Sequence, residues 1–144
     1  MKDLQKARTI LENGDYTCVL CKGDTVYTDK RSGISPVLDL ISKGVDLNGF
    51  SVADKVVGRA AAMLFIQAGI KHVFAQVMSR PAVVMLNCYD ITFSCNKITD
   101  NIINRARTGL CPMESAVKDI HEPEVAFAAI KLKMHEMGWA QYAE

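Results

Sequence analysis

The sequence predicts a three-layer α/β domain, with a mixed sheet of about four or five strands covered by helices. Two kinds of segment carry this reading: stretches with apolar residues at helical spacing, and short runs of β-branched and aromatic residues. The two kinds alternate along the chain, and Gly23-Asp24 between two such short runs marks a hairpin. A length of 144 residues, 49% of them hydrophobic, suits one domain over 1–144 with one sizeable core.

Residues 2 to 13 set Leu4, Ala7, Ile10 and Leu11 on one face before the stop signal Asn13-Gly14, which predicts an amphipathic helix. Tyr16 to Lys22 and Thr25 to Thr28 flank the hairpin turn and read as antiparallel strands. Between Gly33 and Gly44, residues Ile34, Val37, Leu38 and Ile41 recur at helical spacing, with Pro36 admissible in the first turn. Val52 to Ala68 reads as a long helix, with Ser51 as N-cap, Asp54 completing a variant capping box, and Gly69 as its end. His72 to Met78 reads as a buried strand. A helix follows through Leu86, capped by Ser79 with Pro81 in its first turn, and Asp90 to Ser94 gives another strand. Asn101 to Arg107 reads as a helical turn. Pro112 opens a short helix, and Pro123 opens a last long one that ends at Gly138. There are no repeats, low-complexity tracts or linkers.

Charge and cysteine usage narrow the function classes. Lys and Arg total 17 against 16 Asp and Glu, with no basic block, so nucleic acid is not the expected partner. The start of the chain, MKDLQKARTILENGD, is charged and helical in pattern, which argues against a signal peptide. No run approaches the ~18 to 20 apolar residues of a membrane span, so a cytoplasmic location is expected. The five cysteines are an odd number without framework spacing, so reduced thiols are expected. Cys18-x-x-Cys21 sits in a strand-like run, where positions three apart point to opposite faces, so it reads as two packed cysteines and not as half a zinc site. No glycine-rich phosphate loop occurs, and no cofactor is expected.

The order of elements, together with the strings ADKVVGRAAA (53 to 62) and NRARTGLCPMES (104 to 115), resembles a small uncharacterised prokaryotic family with a cytidine-deaminase-like fold. The resemblance covers nearly the whole chain. It implies a fold, and through the fold a small nucleotide-like or nucleobase-like ligand; the family itself has no settled activity. Zinc deaminases hold the metal through H-x-E at one helix start and P-C-x-x-C at the next, with the Glu moving protons. Compared residue by residue, the expected first helix start here reads Val52-Ala53-Asp54 and the second Pro81-Ala82-Val83-Val84-Met85, so the ligand positions hold Val52, Ala82 and Met85. Zinc-dependent deamination is not expected, and no metal site is assigned.

Candidate site residues follow from these placements. Asp54 takes the slot of the deaminase Glu and is a candidate catalytic carboxylate, although a capping carboxylate would sit at the same place. Lys55 is a candidate ligand-binding cation on the same helix, while Arg59, four residues on, reads better as solvated or ion-paired. Cys111 precedes Pro112, hence a helix start, where a dipole favours thiolate; it is the second catalytic candidate, with a packed inert thiol as the competing reading. Glu114 is expected to reach back to that start, and Asn104 and Arg105 are candidate donors to a ligand carbonyl or phosphate. The three histidines read as structural, and Trp139 as a packing or oligomer contact. Three functions compete: an enzyme or former enzyme binding a nucleotide-like molecule, with Cys111 as nucleophile; a non-catalytic binding or regulatory module; and a structural homo-oligomer. The first reading predicts that Asp54, Lys55, Asn104, Arg105 and Cys111 converge on one pocket.

Overall fold

The computed structural model describes residues 2–31, 33–103 and 107–138. Its centre is a five-stranded mixed sheet in the order β2-β1-β3-β4-β5. Helix α1 (Lys2–Asn13) leads into the hairpin β1 (Cys18–Lys22) and β2 (Thr25–Asp29). Then come α2 (Ser35–Ser42), β3 (Ser51–Val57), α3 (Arg59–Ala68), β4 (His72–Ser79), α4 (Arg80–Cys88) and β5 (Thr92–Thr99), followed by α5 (Pro112–Val117) and α6 (Pro123–Glu136). Strand β1 is antiparallel to both β2 and β3, whereas β3, β4 and β5 run parallel through two helical crossovers.

The two faces of the sheet have separate cores. Helix α1 buries Leu4, Ala7 and Leu11 against Val19, Cys21, Ala53 and Phe74. On the other face, Cys18, Leu20, Val52, Val73 and Ala75 meet the remaining helices, above all the apolar stretch Ala60 to Phe65 of α3. Cys18 and Cys21 therefore do lie in opposite cores, as strand alternation demands. No helix among the described residues is long and apolar enough to cross a membrane.

The largest departure from expectation lies at residues 51 to 57, read from the sequence as helix and found as the central strand β3. Its pairing with β1 on one side and β4 on the other satisfies its backbone along both edges. Central strands buried on both faces read as near-continuous apolar runs, and VADKVV merged with the following alanines into one false helical period. Gly58 is the true boundary: it is the extended N-cap of α3, and the helix runs from Arg59 to Ala68 before Gly69, whose φ of 80° makes the left-handed stop that glycine favours. Strand β5 also runs five residues further than the expected end at Ser94, because β4 offers a paired edge as far as Ser79↔Thr99. The described part of the expected turn at Asn101 to Arg107 is not helical; instead Ile103 bridges to Leu110.

Candidate functional site

In parallel α/β sheets ligands collect beyond the carboxyl ends of the strands, where the following helices begin with outward-pointing N–H groups. Here that rim is formed by the β3–α3 junction at Gly58, the β4–α4 junction at Ser79 and the segment after Thr99. The first two helix starts are already satisfied by the chain itself. At α4 the Ser79 hydroxyl accepts the Ala82 amide at 3.2 Å. At α3 the cap comes from far along the sequence: the Arg59 amide donates to Glu114 Oε1 and the Ala60 amide to Glu114 Oε2, each at 2.8 Å.

Glu114 thus does not reach back to the start of its own helix α5. Its carboxylate is buried at the start of α3, where burial raises its pKa above the ordinary value while the two amides and the Arg59 charge pull the other way. Gly58 makes this approach feasible, since a Cβ there would stand 2.6 Å from Glu114 Oε1 and 2.8 Å from Ile102 Cγ1. The Arg59 side chain completes the join: its Nε donates to the Val117 carbonyl at 3.1 Å, and Nη2 donates to the Ile120 carbonyl and meets His121 Nδ1 at 3.3 Å. The strings GRAAA and PMES, far apart in sequence, are fastened together by these contacts. Arg59 departs from the solvated or ion-paired role expected of it: it is half-buried, and its side chain bonds to two backbone carbonyls and an imidazole.

Asp54 is not at a helix start. It lies within β3 opposite Cys18 of β1, and Cys18 is in turn opposite Asp29 of β2. Burial pushes its carboxyl up to about 7, against the lowering effect of the Val56 amide, which donates to Oδ1 at 3.3 Å, and of the Cys18 thiol. Burial and the neighbouring Asp54 carboxylate push the Cys18 thiol well up in turn. Lys55, the next residue, is exposed. Adjacent strand residues point to opposite faces, so Asp54 and Lys55 cannot anchor one ligand together, and Lys55 and Arg59 share no helix.

Cys111 is the N-cap residue of α5 as expected, half-buried against the helical core, and its side chain makes no capping hydrogen bond. Asn104, Arg105 and Trp139 lie outside the described residues. The rim also holds something that the sequence did not single out: an open cleft of about 520 Å³ lined by Thr99, Asp100, Asn101, Ile103, Arg107, Thr108, Gly109 and Leu110. Arg80 at the start of α4 pairs with Asp100 on its wall at 2.8 Å. Neither this cleft nor a second one, of about 70 Å³ beside the ion pairs of Arg31 with Asp29 and Asp39, is lined by Asp54, Lys55 or Cys111. Among the described residues no three His, Cys, Asp or Glu side chains are grouped to hold a metal ion.

Comparison with known proteins agrees with this architecture. Residues 6–134 match the model of a family described as TM1506, a domain of unknown function (DUF1893). The crystal structure of a DUF1893 family protein, TM1506 from Thermotoga maritima, is similar over 94% of this chain and 90% of that one, with a TM-score of 0.80 and 28% sequence identity. None of the curated proteins matches the chain.

Proposed function

Because the chain belongs to the DUF1893 family of domains of unknown function, we propose a function from its own geometry: a non-catalytic module that binds a small polar molecule at the carboxyl end of the sheet. The observation that carries this reading is the open cleft of about 520 Å³ after β5, which lies where α/β folds bind ligands and within the ~300 to 1,000 Å³ of small-molecule sites. Its walls combine a carboxylate, an amide, a guanidinium and hydroxyls in Asp100, Asn101, Arg107, Thr99 and Thr108. Such a mixture suits a neutral or zwitterionic molecule with several hydrogen-bonding edges. A nucleoside or nucleobase fits that description, and the resemblance to deaminase-like folds favours the same class, as a fold-level analogy.

Binding without turnover is favoured because the chemistry-bearing side chains are engaged or remote from the cleft. Glu114 is held by two amides, and Asp54 is buried within β3 and lines neither cleft. On the deaminase analogy, the two helices after the hairpin are α2 and α3, whose starts read Ile34-Ser35-Pro36 and Gly58-Arg59-Ala60. Neither offers the imidazole or thiolates that zinc takes in those enzymes.

A thermal-shift screen with nucleosides, nucleobases and nucleotides tests the proposal. A true ligand at 100 times its Kd should stabilise by about 2.7 kcal/mol, and Asn101→Ala with Arg107→Gln should remove that gain. If no member of the screen stabilises the protein, the binding reading fails; if cytidine or adenosine is consumed, the non-catalytic reading fails.

A further inference from the structure

Two charged side chains line the cleft at the end of the sheet, Asp100 and Arg107, and they differ in what they already bind. Asp100 is matched from outside the cleft by Arg80, whose Nε donates to its carboxylate at 2.8 Å. Arg107 is exposed and has no ion-pair or hydrogen-bond partner among the described residues. By side-chain type alone the wall suits a molecule of little net charge; with Arg80 counted, the balance becomes positive by one charge. That sum holds however weakly the exposed Arg80–Asp100 pair is bound. Arg107 also has a φ of 58°, in the left-handed region that residues with side chains seldom enter and that is over-represented at ligand sites.

The other feature of the wall is apolar. Ile102 lies against Gly58 at the start of α3, and its carbonyl accepts the Cys111 amide at 3.0 Å, which anchors the segment from behind. Its neighbour Ile103 bridges to Leu110 and stays 56% exposed, and both side chains line the cleft. An apolar pair left open beside polar groups is a surface for the face of a ring.

We propose that the ligand is a ring compound carrying a single anionic group, its ring against Ile103 and Leu110 and its anion on Arg107. This rests on the reading of the cleft as a ligand site and narrows it, from nucleosides to their monophosphates. A guanidinium fork matches phosphate and carboxylate oxygens alike, so a carboxylated base such as orotate meets the same requirement. A triphosphate exceeds it, since the wall offers one unmatched positive charge and further anions would face Asp100.

Calorimetric titration of the full chain with adenosine, AMP, ATP, cytidine, CMP, orotate and inorganic phosphate tests the proposal. A monophosphate should bind at least about tenfold tighter than its nucleoside, the yield of a charge-assisted hydrogen bond, and ATP no tighter than AMP. Inorganic phosphate, which has no ring, should bind at least about tenfold more weakly than the monophosphate. Tight orotate with weak monophosphates supports the proposal with a carboxylate as the anion. Arg107→Gln should lower the monophosphate to the affinity of its nucleoside and leave the nucleoside unchanged. Arg80→Gln should weaken the monophosphate too, although Arg80 does not line the cleft, because it removes one positive charge. Ile103→Ser should weaken nucleoside and monophosphate alike and spare phosphate. All three side chains are exposed, and melting temperatures without ligand check that each variant is folded. A nucleoside as tight as its monophosphate, ATP tighter than AMP, or an Arg107→Gln variant that loses nothing overturns the anion assignment and leaves the cleft as a site. Phosphate as tight as AMP overturns the ring contact. If none of the compounds binds, the cleft reading fails and this proposal fails with it.

Discussion

Glu114 Oε2 accepts the Ala60 amide at 2.8 Å across 54 residues of sequence, and its Oε1 accepts the Arg59 amide at the same distance. One side chain thereby satisfies two of the four N–H groups that every helix start leaves without an intrahelical partner. Glu114→Ala leaves the buried Ala60 amide and the part-buried Arg59 amide without their acceptor, at a cost of about 2–3 kcal/mol. For a chain of this size that corresponds to a fall in melting temperature of about 5–10 °C. Glu114→Gln retains an acceptor for one amide only and should fall in between. If thermal unfolding of Glu114→Ala matches the native protein, the cap contributes nothing to stability.

Gly58 and Glu114 should be energetically coupled. The φ of Gly58 is −101°, which any residue adopts, so the obstacle to a side chain there is space alone. Gly58→Ala is expected to cost about 1–3 kcal/mol by displacing a pinned carboxylate and Ile102. In the Glu114→Ala background the part of that cost due to the carboxylate should vanish while the Ile102 contact remains, giving a non-additivity of about 1 kcal/mol in denaturant unfolding. Simple additivity would place the clash elsewhere.

Asp54 sets a pH dependence. Its carboxyl titrates at about 7 in the folded protein against 3.8 in the unfolded chain, so between those values the folded state binds the extra proton. The associated stability is complete below about pH 4 and is lost as pH rises through 7, with an upper limit of about 4 kcal/mol. Glu114, also raised by burial, acts in the same sense. Asp54→Asn removes the Asp54 part of that slope and should leave the variant more stable than the native protein at pH 8. A native stability that is flat between pH 4 and 8 by urea titration would contradict this.

Thiol accessibility should separate the five cysteines into two groups. Cys88 is exposed and Cys95 and Cys111 are half-buried, whereas Cys18 and Cys21 are buried and their thiols are pushed up by burial. Limited alkylation read by mass spectrometry should label Cys88 first and leave Cys18 and Cys21 unmodified until denaturant is added. If Cys111 outpaces the exposed Cys88, its place at the start of α5 activates it and the nucleophile reading returns.

Where structure follows from neighbours in the chain, the sequence alone determined it. The Gly23-Asp24 hairpin, the Gly69 stop, the Pro112 and Pro123 helix starts and the opposite facing of Cys18 and Cys21 all rest on local dihedral preference or a two-residue period. Tertiary structure decided the rest. Residues 51 to 57 became a strand because β1 and β4 supply hydrogen-bonding edges on both sides, and no local propensity reports such partners. That one reassignment turned Asp54 inward to Cys18 and Lys55 out to solvent, and it separated Lys55 from Arg59, which a helix would have kept on one side. It also moved the helix start to Arg59, where Glu114 arrives from another helix. Capping carboxylates are recognisable in sequence when they sit three residues away; at 54 or 55, only the packed chain brings donor and acceptor within 2.8 Å.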